Sequence, residues 1–445
     1  MNNKLKLAFV NLGCDKNRID GEIALFNLSK SYTIVPVAEE AEIIIVNTCG
    51  FIEASKQESI DTILEMAQYK TNGKCKVLIA TGCLTQRYGD EILELMPELD
   101  GILGVNDYGK LNDIINNAYN HEHNSYCTFS DDNINEGERI VSTGKGIAYI
   151  RISEGCDNAC AYCAIPKIRG RYRSRTMENI LKEAESLASK GVKELILVAQ
   201  DTTRYGVDIY DGKKLPELLR KISNIDGIEW IRILYCYAEE ITDELIKEIK
   251  VNTKVCKYLD IPIQHISDNV LKNMRRKGRR KLIEDNINKL RKEIPNIVLR
   301  TSLIVGFPGE TDEDFNELKE FVKNIEFERL GVFKYSREEN TAAYDMKDQI
   351  EDDVKEKREE EIMLMQQKIS KKNNEKRCER VYNVIVEEFD GVLYHGRSFE
   401  MAPEVDGEIL FTSRDELKAG DIVCVKIEKA LEYDLIGVVV NEFSK

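Results

Sequence analysis

At 445 residues the chain exceeds what one compact core holds, and at roughly 150 residues per domain it suggests about three domains. Apolar residues make up 42% and charged residues 32%, which excludes a disordered chain; no run of about 18 apolar residues exists to span a bilayer. A formal net charge of -15 argues against a surface that grips nucleic acid throughout, because phosphate contacts need clustered Lys and Arg.

The opening residues, Met1 to Cys14, lack the basic segment and small-residue cleavage site of a signal peptide, so a cytoplasmic protein without a membrane partner is expected. That compartment is reducing. The twelve cysteines are then better read as ligands, redox groups or core residues than as a disulfide framework.

In chain order, Leu5 to Val10, Ile43 to Val46 and Val77 to Ala80 read as buried strands, each followed by a polar helical stretch, the pattern of a parallel sheet flanked by helices. The segment Asn120 to Gly146, rich in Asp, Asn, Ser and Gly, reads as a linker with room for a strand or two. The alternation then restarts. Strands are expected at Ala148 to Ile152, Leu195 to Ala199, Trp230 to Leu234, Tyr258 to Ile261, Ile297 to Ile304 and Leu330 to Phe333, six repeats that suit an open, partial (βα)6 barrel. The charged run Ile350 to Lys376 reads as one long exposed helix with Ile362, Leu364, Met365 and Ile369 as its buried stripe. Beyond Arg377, short β-rich pieces (Val381 to Val386, Gly407 to Phe411, Ile422 to Lys426, Gly437 to Val440) predict a small β-barrel. The fold class is therefore α/β, with expected domains at 1–125, 142–372 and 378–445.

Cys156, Cys160 and Cys163 stand as C-x3-C-x2-C just after the first strand of the central domain. Three thiolates in one short loop can hold three irons of a 4Fe-4S cubane and leave the fourth open. The amino and carboxylate groups of S-adenosylmethionine (SAM) fit that open iron, where electron transfer would split the sulfonium to a deoxyadenosyl radical. The competing zinc site wants four ligands, and none of the four histidines lies within 30 residues of the loop.

Cys14, Cys49 and Cys83 form a second set, each just past one of the three N-terminal strands and each beside a glycine, Gly13, Gly50 or Gly82. The carboxyl ends of parallel strands share one edge, so three thiols would converge there, with the glycines letting backbone approach a bulky inorganic group. The alternative is three small buried hydrophobes. Cys75, Cys127, Cys236, Cys256, Cys378 and Cys424 show no such arrangement and read as structural.

With both triplets in place the chain resembles the methylthiotransferase family of radical SAM enzymes over nearly its whole length. The resemblance implies two 4Fe-4S clusters, on Cys14, Cys49 and Cys83 and on Cys156, Cys160 and Cys163, with Tyr162 near the adenine, and a TRAM-like C-terminal piece. It also places a SAM pocket at Gln200 in Gln200-Asp201-Thr202, at Gln264 near the ribose, and at Ile304, Gly306 and Glu310 within Ser302 to Glu310. Each of these could equally be a plain turn. No side chain is expected to be catalytic in its own right.

One branch of that family modifies an adenosine of tRNA and another an aspartate of a ribosomal protein. The segments Leu12 to Asn17, Asn47 to Ile52, Gln200 to Gly206 and Ala402 to Gly407 resemble the second branch, with departures at Asp15, where it often has Pro, and at Asn340, where it usually has Gly. From Arg380 onward seven basic residues face fourteen acidic ones, a net of -7 that suits a basic ribosomal protein better than RNA. Implied partners are thus a small-subunit ribosomal protein, free or on the ribosome, and an external electron donor, with nucleic acid secondary. The alternatives are tRNA methylthiolation and a non-enzymatic metal-binding RNA adaptor. Lys167, Arg169, Arg171, Arg173 and Arg175 alternate after the cluster loop and would share one face of an extended strand, there to meet phosphate, a substrate aspartate or that loop cluster's own negative charge.

Overall fold

The structure is a computed structural model describing residues 4–132 and 134–440. Glu442 and Lys445 of the charge count therefore lie outside the described residues. The chain forms two compact units: residues 1–142, 153–175 and 336–344 make the first, and 143–152, 176–335 and 345–445 the second.

The first unit is built on β1 (Lys6–Asn11), β2 (Thr33–Ile34), β3 (Ile43–Thr48), β4 (Val77–Gly82), β5 (Gly101–Leu103) and β6 (Asn124–Tyr126), all parallel in the order β2-β1-β3-β4-β5-β6. β3 and β4 are buried along their whole length, which is why Ile-Ile-Ile-Val and Val-Leu-Ile-Ala run on without alternating. Apolar clusters pack on both faces, Leu7, Ile43, Ile45 and Ile79 toward one and Ile44, Val46, Leu78 and Ala80 toward the other. The predicted linker supplies β6.

β7 (Ile147–Arg151) belongs to the second unit, whereas β8 (Ser153–Glu154) and β9 (Arg173–Ser174) form an antiparallel pair in the first. The basic run does not lie along one strand. Lys167 and Arg169 sit on a short helix, Ile165–Arg169; Gly170 turns the chain at φ +73, and only Arg173 reaches a strand. Pro166 in the first helical turn and the glycine directly after Arg169 favour that helix over an extended segment.

In the second unit β7 joins β10 (Glu194–Val198), β11 (Trp230–Ile233), β12 (Val255–Asp260), β13 (Val298–Val305) and β14 (Arg329–Lys334) in an open parallel sheet ordered β14-β13-β12-β11-β10-β7, the expected six repeats. The long helix spans Asp352–Glu375, but its inward face is more polar than its apolar residues suggested. Leu364 is 52% exposed, while Ile362 and Ile369 share the buried side with Arg358, Gln366, Ser370 and Asn374. Gln366 shows why this is tolerated: its amide donates to the Phe327 carbonyl (2.9 Å) and to Ser370 (3.0 Å).

β15 (Val381–Phe389), β16 (Tyr394–Arg397), β17 (Ile409–Thr412), β18 (Ile422–Ala430) and β19 (Leu435–Val439) close into a five-stranded barrel, β15-β16-β17-β19-β18, around Val384, Val386, Ile409, Phe411, Val425 and Ile427. No helix among the described residues is long and apolar enough to cross a membrane.

Candidate functional site

The strand register brings the first cysteine trio to one edge. Asn11 of β1 pairs with Asn47 of β3, and Asn47 with Thr81 of β4. Cys14 follows Asn11 by three residues, while Cys49 and Cys83 follow Asn47 and Thr81 by two. The thiols lie near enough that Cys14 and Cys49 both push the Cys83 pKa upward. Burial is the larger influence and, opposed by Arg169, takes the Cys83 thiol up to about 12; burial likewise raises Cys49.

Polar side chains that the apolar strands did not advertise hold this edge. The Asn47 amide donates to Asn11 Oδ1 (2.7 Å) and to the Asn17 carbonyl (2.9 Å), and accepts from the Tyr108 hydroxyl (2.9 Å). The Asn17 amide in turn donates to the carbonyls of Leu12 (2.7 Å) and Thr48 (3.1 Å). Ser59 clamps the Cys49 backbone, accepting from its N–H and donating to its carbonyl, both at 3.0 Å. Asn11 and Asn47 carry one sequence signal, a polar residue near the end of an otherwise apolar strand, whereas Asn17 and Ser59 lie on helices and carry none.

The glycines are space-limited. A Cβ on Gly13 would stand 3.1 Å from Cys49 Cβ, and one on Gly50 would strike the Leu84 backbone at 2.7 Å. On Gly82, at φ +106, it would lie 2.5 Å from the Thr48 carbonyl oxygen.

Arg169 reaches into the same edge from the helix Ile165–Arg169 and is 2% exposed. Its guanidinium donates to Asp20 (3.0 Å), Glu154 (3.0 Å) and Asn17 (3.4 Å), and lies 3.5 Å from Cys83 Sγ. A cavity of about 200 Å³, bordered by Asp20, Tyr108, Glu136 and Glu154, opens onto it. The rest of the basic run serves other ends: Arg173 donates to the Arg169 and Arg171 carbonyls, Arg175 pairs with Glu136 at 3.1 Å, and exposed Lys167 donates to the Asn340 carbonyl at 2.7 Å.

The second trio also lies in the first unit. Cys156 and Cys160 are buried and Cys163 partly so, in a loop pinned by the Cys156 N–H on the Gly170 carbonyl (3.1 Å) and the Tyr172 N–H on Asp157 (3.0 Å). The Asn158 N–H points at Cys156 Sγ (3.4 Å), the contact that favours a thiolate. Gly155, at φ +69, lies against the Arg171 carbonyl so closely that a Cβ would stand 2.0 Å from its oxygen. No cysteine among the described residues is disulfide-bonded. Among the described residues no three His, Cys, Asp or Glu side chains are gathered as ligands of a single metal ion. Both trios nonetheless fit an iron–sulfur cluster: sulfur donors, glycines that keep the backbone close, and N–H groups or a cation facing sulfur.

Tyr162 is in the first unit, half-buried within the cluster loop, whereas Gln200, Gln264, Ile304, Gly306 and Glu310 belong to the second. Gln200 follows β10. Gln264 takes φ +71 and bridges to β13, its N–H on the Ser302 carbonyl (3.0 Å) and its carbonyl accepting from Ile304 N–H (2.7 Å). Gly306 turns the chain at φ +71. The buried Glu310 carboxylate accepts from the Gly306 N–H (2.7 Å), the Phe307 N–H (3.1 Å) and Arg358 (2.9 Å). Glu310 therefore shapes this loop from within. Burial pushes its carboxyl up to about 7 against the pull of Arg358 and the two amides.

Comparison with known proteins agrees with this architecture. Residues 150–322 match the Radical SAM superfamily, 6–104 match a family described as Uncharacterized protein family UPF0004, and 380–440 match the TRAM domain. Among solved structures, the radical SAM methyltransferase TsrM from Kitasatospora setae, with cobalamin and a 4Fe-4S cluster bound, aligns at TM-score 0.55 and 14% identity over 75% of each chain. The cobalamin-dependent radical SAM enzyme OxsB aligns at 0.50 and 13%, over 77% of this chain and 54% of that one. At such identities the likeness concerns fold alone. The fold and the family match define a radical SAM enzyme.

Curated relatives narrow the class. A protein of Clostridium acetobutylicum named ribosomal protein uS12 methylthiotransferase RimO is 61% identical over 99% of this chain and 100% of its own length; its namesake in Clostridium perfringens is 60% identical over the same shares. The chain belongs to the RimO family of radical SAM methylthiotransferases.

Proposed function

We propose that this chain adds a methylthio group to the β-carbon of an aspartate in the small-subunit ribosomal protein uS12, using two 4Fe-4S clusters. The observation carrying the two-cluster reading is the convergence of Cys14, Cys49 and Cys83 at adjacent parallel strand ends, apart in sequence from the Cys156 to Cys163 loop. When bound, the cluster on Cys156, Cys160 and Cys163 with SAM supplies hydrogen-atom removal from carbon, and that on Cys14, Cys49 and Cys83 supplies sulfur. An unactivated β-carbon requires such chemistry, since no protein base removes so weakly acidic a proton.

The protein's own groups hold and orient. Asn47, Asn17 and Ser59 fix the backbone that presents the first trio, and Gly155 and Asp157 fold the loop that presents the second. Tyr162, Gln200, Gln264, Ile304 and Gly306 are assigned to SAM, with Glu310 setting the Gly306–Phe307 turn. The net -7 from Arg380 onward suits a basic protein substrate. A cytoplasmic setting, an external electron donor and the division 1–125, 142–372 and 378–445 complete the reading.

The test pairs Cys49→Ala with a choice of substrate. Cys49→Ala is expected to lose methylthio product on purified uS12 or small subunits while still cleaving SAM when reduced. Product formation undiminished by the substitution would remove the second cluster from the reading. Turnover on tRNA and none on uS12 would overturn the substrate, and zinc without labile sulfide after anaerobic purification would replace the enzyme by a metal-binding adaptor.

A further inference from the structure

The alternating basic run is the one sequence feature that the proposed chemistry leaves unexplained, and the structure separates its members. Lys167, Arg173 and Arg175 are taken up by carbonyls or by Glu136, and Arg171 is exposed. Arg169 is buried against the Cys83 thiol.

Burying a guanidinium is costly unless it is paired and hydrogen-bonded, and Arg169 has two carboxylates, Asp20 and Glu154, each 3.0 Å from Nη1. A salt bridge alone would be complete there. Nη2 instead turns to Asn17 and to Cys83 Sγ at 3.5 Å, so positive charge is delivered to the edge where three thiols meet. Charge neutralisation and hydrogen bonding to ligand sulfur are among the levers by which a protein sets an iron–sulfur potential.

We propose that Arg169 is a positioning and tuning residue for the cluster held by Cys14, Cys49 and Cys83: its guanidinium neutralises that cluster and raises its reduction potential, with the Asp20 carboxylate offsetting part of the effect. The proposal rests on the two-cluster reading and goes beyond it, because the residue acts through charge and is neither ligand nor reactant. A cation favours the more negative, reduced state of a neighbouring cluster. Removing the cation therefore lowers the potential, and removing its carboxylate partner raises it.

The experiment uses full-length protein in which Cys156, Cys160 and Cys163 are all alanine, leaving one trio. After anaerobic reconstitution, iron and sulfide are counted, and the midpoint potential is titrated by following the electron paramagnetic resonance of the reduced cluster. The parent is expected to hold about four irons. Arg169→Gln is expected to shift the midpoint downward, Asp20→Asn to shift it upward, and Arg169→Lys to stay nearer the parent than Arg169→Gln. A residue that merely packs gives no such opposition of sign. Loaded variants whose midpoints coincide, or shift in the same direction, overturn the role of Arg169 and leave the cluster reading intact. A parent that takes up no iron overturns the cluster reading itself. Should Arg169→Gln fail to load, Asp20→Asn decides: an upward shift sustains the proposal and an unmoved midpoint ends it.

Discussion

Gly82 and Gly89 allow backbone conformation to be separated from crowding beside the first trio. Both have positive φ, +106 and +55, but a Cβ on Gly82 would lie 2.5 Å from the Thr48 carbonyl oxygen, whereas one on Gly89 meets nothing within 4 Å. Gly89, at φ +55 and ψ -133, occupies a region nearly restricted to glycine, so Gly89→Ala is expected to cost that backbone strain alone, about 1–3 kcal/mol. Gly82→Ala must in addition push β4 from β3, displacing Cys83. Its thermal midpoint should fall by more than that of Gly89→Ala, and its iron content after reconstitution should drop toward that of the Cys83→Ala variant; equal midpoints and full iron in both would show that the edge yields. The two departures from the family pattern also have local reasons. Asp15 is the first residue of the helix Asp15–Ser29, where proline is favoured for its fixed φ and aspartate for its charge against the helix dipole. Asn340 sits at φ +61, a conformation that glycine and asparagine accept more readily than other residues.

Among the elements, the hairpin of β15 and β16 is expected to be pH-sensitive. His395 lies 2.9 Å from Glu408 and 3.3 Å from Asp390; partial burial works against protonation, yet the two carboxylates raise its pKa above the ordinary value. Asp390 is held at about 2, first by the amides of Leu393 and Val392 and then by His395, and so stays ionised near neutrality. A base with a raised native-state pKa stabilises the fold fully below its unfolded value of about 6.5, and loses that contribution as pH rises through the native value. Amide exchange in β16, compared at about pH 5.5 and about pH 8.5, should show the slower opening at the lower pH. His395→Gln should flatten the difference, and a difference that survives the substitution would place the sensitivity elsewhere. The effect is small because both carboxylates are exposed to solvent. At this scale the sequence was most legible where burial is apolar: continuous Ile, Val and Leu runs marked β3, β4 and β10, and thiols after strands marked the first trio. It was least legible where polar groups are buried. Leu364 stood in the expected stripe but faces solvent, while Gln366 is inside, because hydrogen bonds to Phe327 and Ser370 cannot be read from residue type.

At the scale of the whole molecule, the second unit contains a buried charge network that residue type alone does not reveal. Glu194 on β10 lies between Arg232 on β11 (2.7 Å) and Arg397 on β16 (2.8 Å), and all three are 2% exposed or less. Arg232 also donates to the Phe399 carbonyl, Arg397 to the Met401 carbonyl, and Tyr258 to Asp406, so the open sheet and the closed barrel are joined by ionic and polar contacts. The Ala402 to Gly407 segment thus carries a structural duty within this unit: the Asp406 carboxylate accepts from Tyr258 and from the Ala402 N–H. Burial opposes ionisation of Glu194, but Arg397 and Arg232 hold its carboxyl below the ordinary value. Its contribution is consequently present above about pH 4.5 and lost as pH falls through the native value. Glu194→Gln removes one charge from between two buried cations, a change that costs about 3–5 kcal/mol when a buried pair is broken. In a unit of this size that corresponds to a fall of roughly 5–15 °C in thermal midpoint. Because Ser398, Phe399 and Met401 present carbonyls to the same two arginines, replacing Glu194, Arg232 and Arg397 together by Leu, Met and Met should not restore the loss, as those acceptors would be buried without donors. Calorimetry of the single and triple variants decides the point: a triple variant as stable as the parent would mean that the network is replaceable by apolar packing.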